Sequence, residues 1–270
     1  MSTLFATLFD HWPEYAMEAA LLGCFMLSAC SFGTLLGHPA SPIVRRVTSA
    51  TSRRALMGIA MGMTAITLIY SPWGLQSGAH MNPATTITFA LRGKVAAIDA
   101  VFYVLAQFSG GAIGVMLART FIGGALRHAA VNHVVTLPGS RGVSVAWLAE
   151  VAIAYGMMLM VLLVSNSPPL AAYTGICAGV LVALYIFFEA PLSGMSMNPA
   201  RSFASAVVAR QWRAIWVYFT APLAGMLLAS ATYAAVPGAG EVLCAKLVHT
   251  GKCRCIFHCE WHRENAASRR

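Results

Sequence analysis

The chain has 270 residues, 58% of them hydrophobic and only 10% charged, at a mean hydropathy of +0.69. Soluble domains carry about 25% charged residues, so this balance excludes a water-soluble globule. The net charge of +9 is spread between apolar stretches and gathered near the C-terminus. It forms no basic stripe with interleaved aromatics, which argues against a nucleic-acid partner and for lipid headgroups.

A membrane-spanning helix needs roughly 20 mostly apolar residues, because each residue rises about 1.5 Å through a hydrocarbon layer about 30 Å thick. In chain order six stretches meet that test: Ala16 to Gly37, Ala55 to Trp73, Val95 to Phe121, Val143 to Ser165, Leu170 to Phe188 and Arg213 to Val236. They are too long and too continuously apolar for the alternating strands of a barrel. The first stretch follows Asp10, His11, Trp12, Pro13 and Glu14. It lacks the basic start and cleavage site of a secretory signal and reads as a retained helix. Trp12, Tyr15, Trp73, Trp147, Trp216 and Tyr218 fall near the ends of stretches, as interfacial anchors do. Cys24, Cys30 and Cys177 lie inside apolar stretches and read as small core residues. The domain organisation expected is an N-terminal segment 1–15, a membrane domain 16–236 and a tail 237–270.

The chain repeats itself. Ser77-Gly78-Ala79-His80-Met81-Asn82-Pro83-Ala84 recurs 116 positions later (198 − 82) as Ser193-Gly194-Met195-Ser196-Met197-Asn198-Pro199-Ala200. Each copy follows the second stretch of a set of three, giving repeats of about 16–121 and 143–236. With an odd number of spans per half, the second half enters the membrane from the opposite side, and the two copies face each other. Pro suits the first turn of a helix, where its missing N–H has no partner to lose, so Asn82 and Asn198 read as caps of two short half-helices. Such re-entrant segments are tolerated only where protein buries them or where they line a watery cavity.

With these motifs the sequence resembles the aquaporin and glycerol-facilitator family, the major intrinsic proteins, in its bacterial type. The resemblance runs from about Tyr15 to Val236 and includes Glu18, Ala106-Gln107, Gly110-Gly111, Glu150, Trp216-Val217-Tyr218 and Pro222-Leu223. It implies an all-α fold of six spans and two half-helices, a homotetramer with one pore per subunit, cytoplasmic termini in a multi-pass cell-membrane protein, and no catalysis. No cofactor is required. Asn82, Pro83, Ala84, Asn198, Pro199 and Ala200 would form the pore centre, and Arg201 the fixed charge of a selectivity filter. A guanidinium within a span costs at least about 2.5 kcal/mol unless it faces protein or water, so a snorkelling interfacial Arg is the alternative. Glu18 and Glu150, equivalently placed acids, would accept backbone N–H groups of the re-entrant loops, against the alternatives of a proton relay or an interfacial end. His80 reads as a buried, hydrogen-bonded loop residue before a gate, and Gln107 as interhelical glue before a ligand.

Ser202 after the filter Arg, Ala206, and the adjacent Tyr218 and Phe219 resemble the water-channel subgroup; glycerol carriers of the family usually have Asp at the first position. The remaining filter positions point elsewhere. The fifth stretch places Ile186 where a His is frequent, and the second loop adds Met195. The second stretch offers Gly62 by direct counting or Met61 by local pattern, and Met61 is preferred. Met61, Ile186, Met195 and Arg201 would give one strong donor and three apolar walls, so the expected function is a water channel, with hydrogen peroxide or glycerol as alternative solutes.

Charge counting does not choose the orientation the family implies. Its cytoplasmic side would hold eight basic residues (Arg92, Lys94, Lys246, Lys252, Arg254, Arg263, Arg269, Arg270), and its outer side nine (Arg45, Arg46, Arg53, Arg54, Arg119, Arg127, Arg141, Arg210, Arg213). The tail is basic and carries Cys244, Cys253, Cys255 and Cys259 with His249 and His258. This spacing matches no standard zinc finger, yet it supplies enough soft ligands for a four-coordinate metal site. A disordered or packing tail and a membrane-anchored metal or redox sensor are the other readings.

Overall fold

The computed structural model describes residues 2–236, 241–249 and 252–261; Met1, His262, Arg263, Arg269 and Arg270 lie outside them. Among the described residues there are helices and no strands. Eight helices carry the architecture: α1 (Ser2–Gly37), α2 (Ala50–Ile69), α3 (Pro83–Leu91), α4 (Ala97–Ile122), α5 (Val143–Ser165), α6 (Thr174–Phe188), α7 (Pro199–Ala209) and α8 (Ile215–Ala235).

The packing repeats the sequence symmetry. Helix α1 lies along α4, α5 lies along α8, and α2 pairs with α6 between them. The short α3 and α7 each pack against both α4 and α8, and touch each other. Small residues make the crossings close: a Cβ on Gly110 would stand 2.1 Å from the Ala19 carbonyl oxygen, and one on Gly225 2.4 Å from that of Val151. Between helices in lipid there is no hydrophobic gain to share, so close backbone approach and dispersion hold the bundle. Outside, apolar side chains such as Ile59, Leu105, Leu148 and Leu228 are more than half exposed, a surface suited to lipid.

Among the described residues five helices are long and apolar enough to cross a membrane: α1 from Phe5, α4, α5, α8, and α6 together with the turn that precedes it from Ala171. Helix α2, the second expected span, has the necessary length of 20 residues but lacks the apolarity. It begins at Ala50, ahead of Arg53 and Arg54, and ends at Ile69, where Ser71 caps the new turn Pro72–Ser77.

The described segments on either side of the bundle join the body. Helix α1 starts at Ser2, well before the apolar run at Ala16. Its polar first turns are held by partners: Tyr15 donates to Asp99 of α4 at 2.6 Å, His11 Nδ1 lies 2.7 Å from the same carboxylate oxygen, and Gln76 donates to Glu14. After α8, residues Val242, Ala245, Leu247, Val248 and Phe257 are buried in one apolar cluster with Phe89, Tyr103 and Met226.

Candidate functional site

The two re-entrant loops are built alike. Pro83 and Pro199 open α3 and α7, and the side chains of Asn82 and Asn198 cap them: Asn82 Oδ1 accepts from Ala84 N–H at 2.9 Å, Asn198 Oδ1 from Ala200 and Arg201 N–H at 3.0 and 3.2 Å. The caps also tie the loops to each other. Asn82 Nδ2 donates to the Met197 carbonyl at 2.7 Å, and Asn198 Nδ2 to the Met81 carbonyl at 2.6 Å. An amide NH₂ has two hydrogens, so each Asn keeps one more to offer.

Ahead of each cap the chain runs through left-handed backbone, at Gly78, Ala79 and Met81 in the first loop and at Gly194, Met195 and Met197 in the second. Non-glycine residues hold such angles at a cost on the order of 1–3 kcal/mol each, so something must over-determine them. A buried carboxylate does so in each half. Glu18 accepts from Ser77 Oγ (2.9 Å), His80 N–H (3.0 Å), Met81 N–H (2.7 Å) and Gln107 Nε2 (2.8 Å). Glu150 accepts from Ser193 Oγ (2.5 Å), Ser196 N–H (2.8 Å) and Met197 N–H (2.7 Å). Tyrosines finish the brace: Tyr103 OH donates to the Ser77 carbonyl and Tyr218 OH to that of Ser193.

A cavity of about 480 Å³ passes the two caps. Its lining takes one face of α2 from end to end: Ala50, Arg53, Met57, Met61, Ala65 and Ile69. These residues span 19 positions, which at 1.5 Å per residue is roughly 28 Å, close to the thickness of a bilayer's hydrocarbon core. The modest apolarity of α2 comes from Arg53 and Arg54 in its first turns and from its Ser, Thr and Gly residues. Met61, Ile186, Met195 and Arg201 all line this cavity with Asn82 and Asn198. Gly62 does not; a Cβ there would meet the Gly179 carbonyl of α6 at 2.5 Å, so it serves the helix crossing. Arg201 Nη1 is buried with no hydrogen-bond partner. Ser202, Ala206, Tyr218 and Phe219 do not line it: Ser202 bonds Thr136 and Ser196 at 2.7 and 2.6 Å, and Phe219, exposed on the outside, stacks on Phe108.

His80 is fully engaged, its Nδ1 3.0 Å from Thr86 Oγ1 and its Nε2 2.8 Å from the Ala245 carbonyl of the tail. Sequence reasoning did not anticipate that contact, nor Leu247 in the cavity lining. The available signal was a short apolar run, Val242 to Val248 broken only by Lys246, inside an otherwise polar tail. Of the six tail residues considered as metal ligands, Cys244, His249, Cys255 and Cys259 bring their ligand atoms within 4.8 Å of one another. Cys253 and His258 stay outside that group; His258 Nδ1 lies 2.7 Å from the Gly93 carbonyl and its N–H donates to that of Lys94. Hydrogen bonding by the Cys244 thiol lowers the Cys255 and Cys259 thiols, and those same bonds raise Cys244.

An inverted pair of half-helices braced inside a bundle of long apolar helices, with a cavity beside their caps, defines an integral membrane protein. Residues 15–233 match the major intrinsic protein family, and the chain belongs to it. Passive channels make up that family; its members are not enzymes and need no cofactor. The chain is 32% identical to aquaporin NIP1-4 of Oryza sativa subsp. japonica over 58% of this chain and 55% of that protein. It is 31% identical to glycerol uptake facilitator protein-like 6 of Lactiplantibacillus plantarum over 57% of this chain and 70% of that protein. The match to three rice relatives spans 50% to 62% of their own length. In fold it is similar to an aquaglyceroporin from Plasmodium falciparum, with a TM-score of 0.67 and 18% identity over 84% of this chain and 96% of that one.

Proposed function

We propose that the chain is a passive channel for small uncharged molecules, water first among them, with Asn82 and Asn198 at its centre and Met61, Ile186, Met195 and Arg201 as its filter. The observation that carries this reading is the cavity lined along the whole of α2 and passing both caps. Two half-helix N-termini meet there, so partial positive charge and unpaired donors face the passing molecule and repel cations, including hydronium. The free hydrogens of the two Asn amides and Arg201 Nη1 replace hydrogen bonds that a solute leaves behind in bulk water. Stopped-flow light scattering on vesicles holding the protein is the test, and permeability equal to that of empty vesicles would end the proposal.

A second reading, a wider solute range reaching hydrogen peroxide and glycerol, is favoured by the three apolar side chains in the filter. It is in keeping with a relative named as a glycerol uptake facilitator. Solute flux that falls when Ile186 or Met195 is enlarged supports it, and flux indifferent to both changes removes it. The assembly we propose is a homotetramer in the cell membrane with cytoplasmic termini; native mass spectrometry from detergent and protease access on sealed vesicles test the two statements.

A further inference from the structure

The residues after α8 form no regular secondary structure over 241–249, yet most of them are buried. They sit on the first re-entrant loop. Leu247 N–H donates to the Gly78 carbonyl at 3.2 Å, the Ala245 carbonyl meets His80 Nε2, and Phe257 stacks on the His80 ring at 5.4 Å between centroids with a 7° interplanar angle. Lys246, only 3% exposed, spans the join by donating to the Leu75 carbonyl at 3.0 Å and the Arg254 carbonyl at 2.6 Å. Leu247 thereby reaches the cavity itself.

A short irregular segment buries too little surface to hold such a shape alone, and small units of this kind use disulfides or metals as staples. The seven cysteines are free thiols. Cys244 and Cys255 sulfurs are 3.6 Å apart, and Cys259 Sγ lies 3.2 Å from His249 Nε2. A zinc ion with Zn–S bonds of about 2.3 Å at the centre of a tetrahedron separates its sulfur ligands by about 3.8 Å. Two of the separations, 3.6 and 3.2 Å, are near or below that edge and all four ligand atoms lie within 4.8 Å of one another, so a small inward shift closes the set, and three thiolates with one imidazole are a closed structural zinc set.

We propose that Cys244, His249, Cys255 and Cys259 form a structural zinc site whose occupancy holds the tail across the mouth of the cavity on the Gly78–Met81 side, with Leu247 as the inserted residue. Binding joins the two tail segments, 241–249 and 252–261, and so couples a metal ion to the openness of the cavity. The proposal adds regulation to the channel reading, and the zinc site stands without it.

Full-length protein in detergent, loaded with zinc and desalted, decides the first half by elemental analysis. About one ion per chain is expected, with less than about a tenth of that in the Cys255→Ser/Cys259→Ser variant, since two ligands of four are lost. Cobalt loading of the wild type gives the absorption of a tetrahedral thiolate site, absent in the variant. Trypsin cleavage after the buried Lys246 reads the second half: it is slow with zinc, fast after chelation, and slow again on reloading. Solute flux into vesicles rises on chelation in step with it. Zinc no higher than in the variant, or a Cys244–Cys255 disulfide in metal-free protein with cleavage still slow, overturns the site. Zinc bound while cleavage and flux ignore chelation overturns the closure. Absent flux in every state, with zinc and cleavage behaving as expected, counts against the channel reading alone.

Discussion

The two re-entrant loops share one skeleton and differ in what stands behind it. Position by position, 116 residues apart, Ser77 matches Ser193, His80 matches Ser196, Thr85 matches Arg201 and Thr86 matches Ser202. The backbone brace is the same in both, a buried carboxylate and a tyrosine hydroxyl. Even the bond between the fourth residue of the repeat and the residue six further on recurs, as His80 to Thr86 and as Ser196 to Ser202. Beyond it the halves part. The first loop hands on to the tail through Ala245, the second to Thr136 of the segment joining the halves. The cavity also meets Thr85 in one half and Arg201 in the other. Duplication therefore accounts for where the loops meet, and later divergence for which end carries the charge and which end is covered.

The comparison breaks most severely at the carboxylates. Glu18→Ala leaves three donors without an acceptor and takes one of the two bonds of Gln107 Nε2, and Glu150→Ala leaves three, at about 1–3 kcal/mol per buried orphan. Both should lose at least about 3 kcal/mol, with Glu18→Ala the worse, read as thermal unfolding in detergent and as yield of folded protein. Equal tolerance of both changes would mean that the loops hold themselves.

A smaller effect is expected where the helices cross. Gly110→Val and Gly225→Val each drive a side chain into a carbonyl of the partner helix, and overpacking of this kind costs about 1–3 kcal/mol. Matching losses would express the repeat; a loss in only one half would show that the crossings have diverged.

Arg201→Val tests the asymmetry instead, with little expected change in stability because the substitution faces the cavity. Removing the positive charge that we propose for the filter should raise proton leak and widen solute range, measured with a pH-sensitive dye and by solute uptake. The half-helix dipoles and both Asn residues remain, so ion exclusion weakens without vanishing. An intact water pore with neither change would place Arg201 outside the filter.

The finest comparison is Tyr103→Phe against Tyr218→Phe. Each removes one hydroxyl that donates to a loop carbonyl, worth about 1 kcal/mol, so the two unfolding shifts should agree.

The sequence by itself determined the all-α membrane class, the duplicated frame and the two half-helix starts, because apolar length and an Asn-Pro-Ala repeat at fixed separation are local features that survive in one dimension. Acids inside apolar stretches, Glu18 and Glu150, were visible for the same reason. Only the tertiary structure decided what depends on direction and on distant partners. Helix rotation turned Met61 to the cavity and Gly62 to α6, a choice between neighbours that spacing leaves open. Polar residues before Ala16 became helix because Asp99 and Gln76 from elsewhere supply their partners. Ser202 and Ala206, whose residue types resemble the water-channel subgroup, do not line the cavity. In the tail, six soft ligands were legible as a composition, and the fold brought four together: Gly93 and Lys94 of the body hold His258 away from the other ligands, and no order of residues in the tail carries that information.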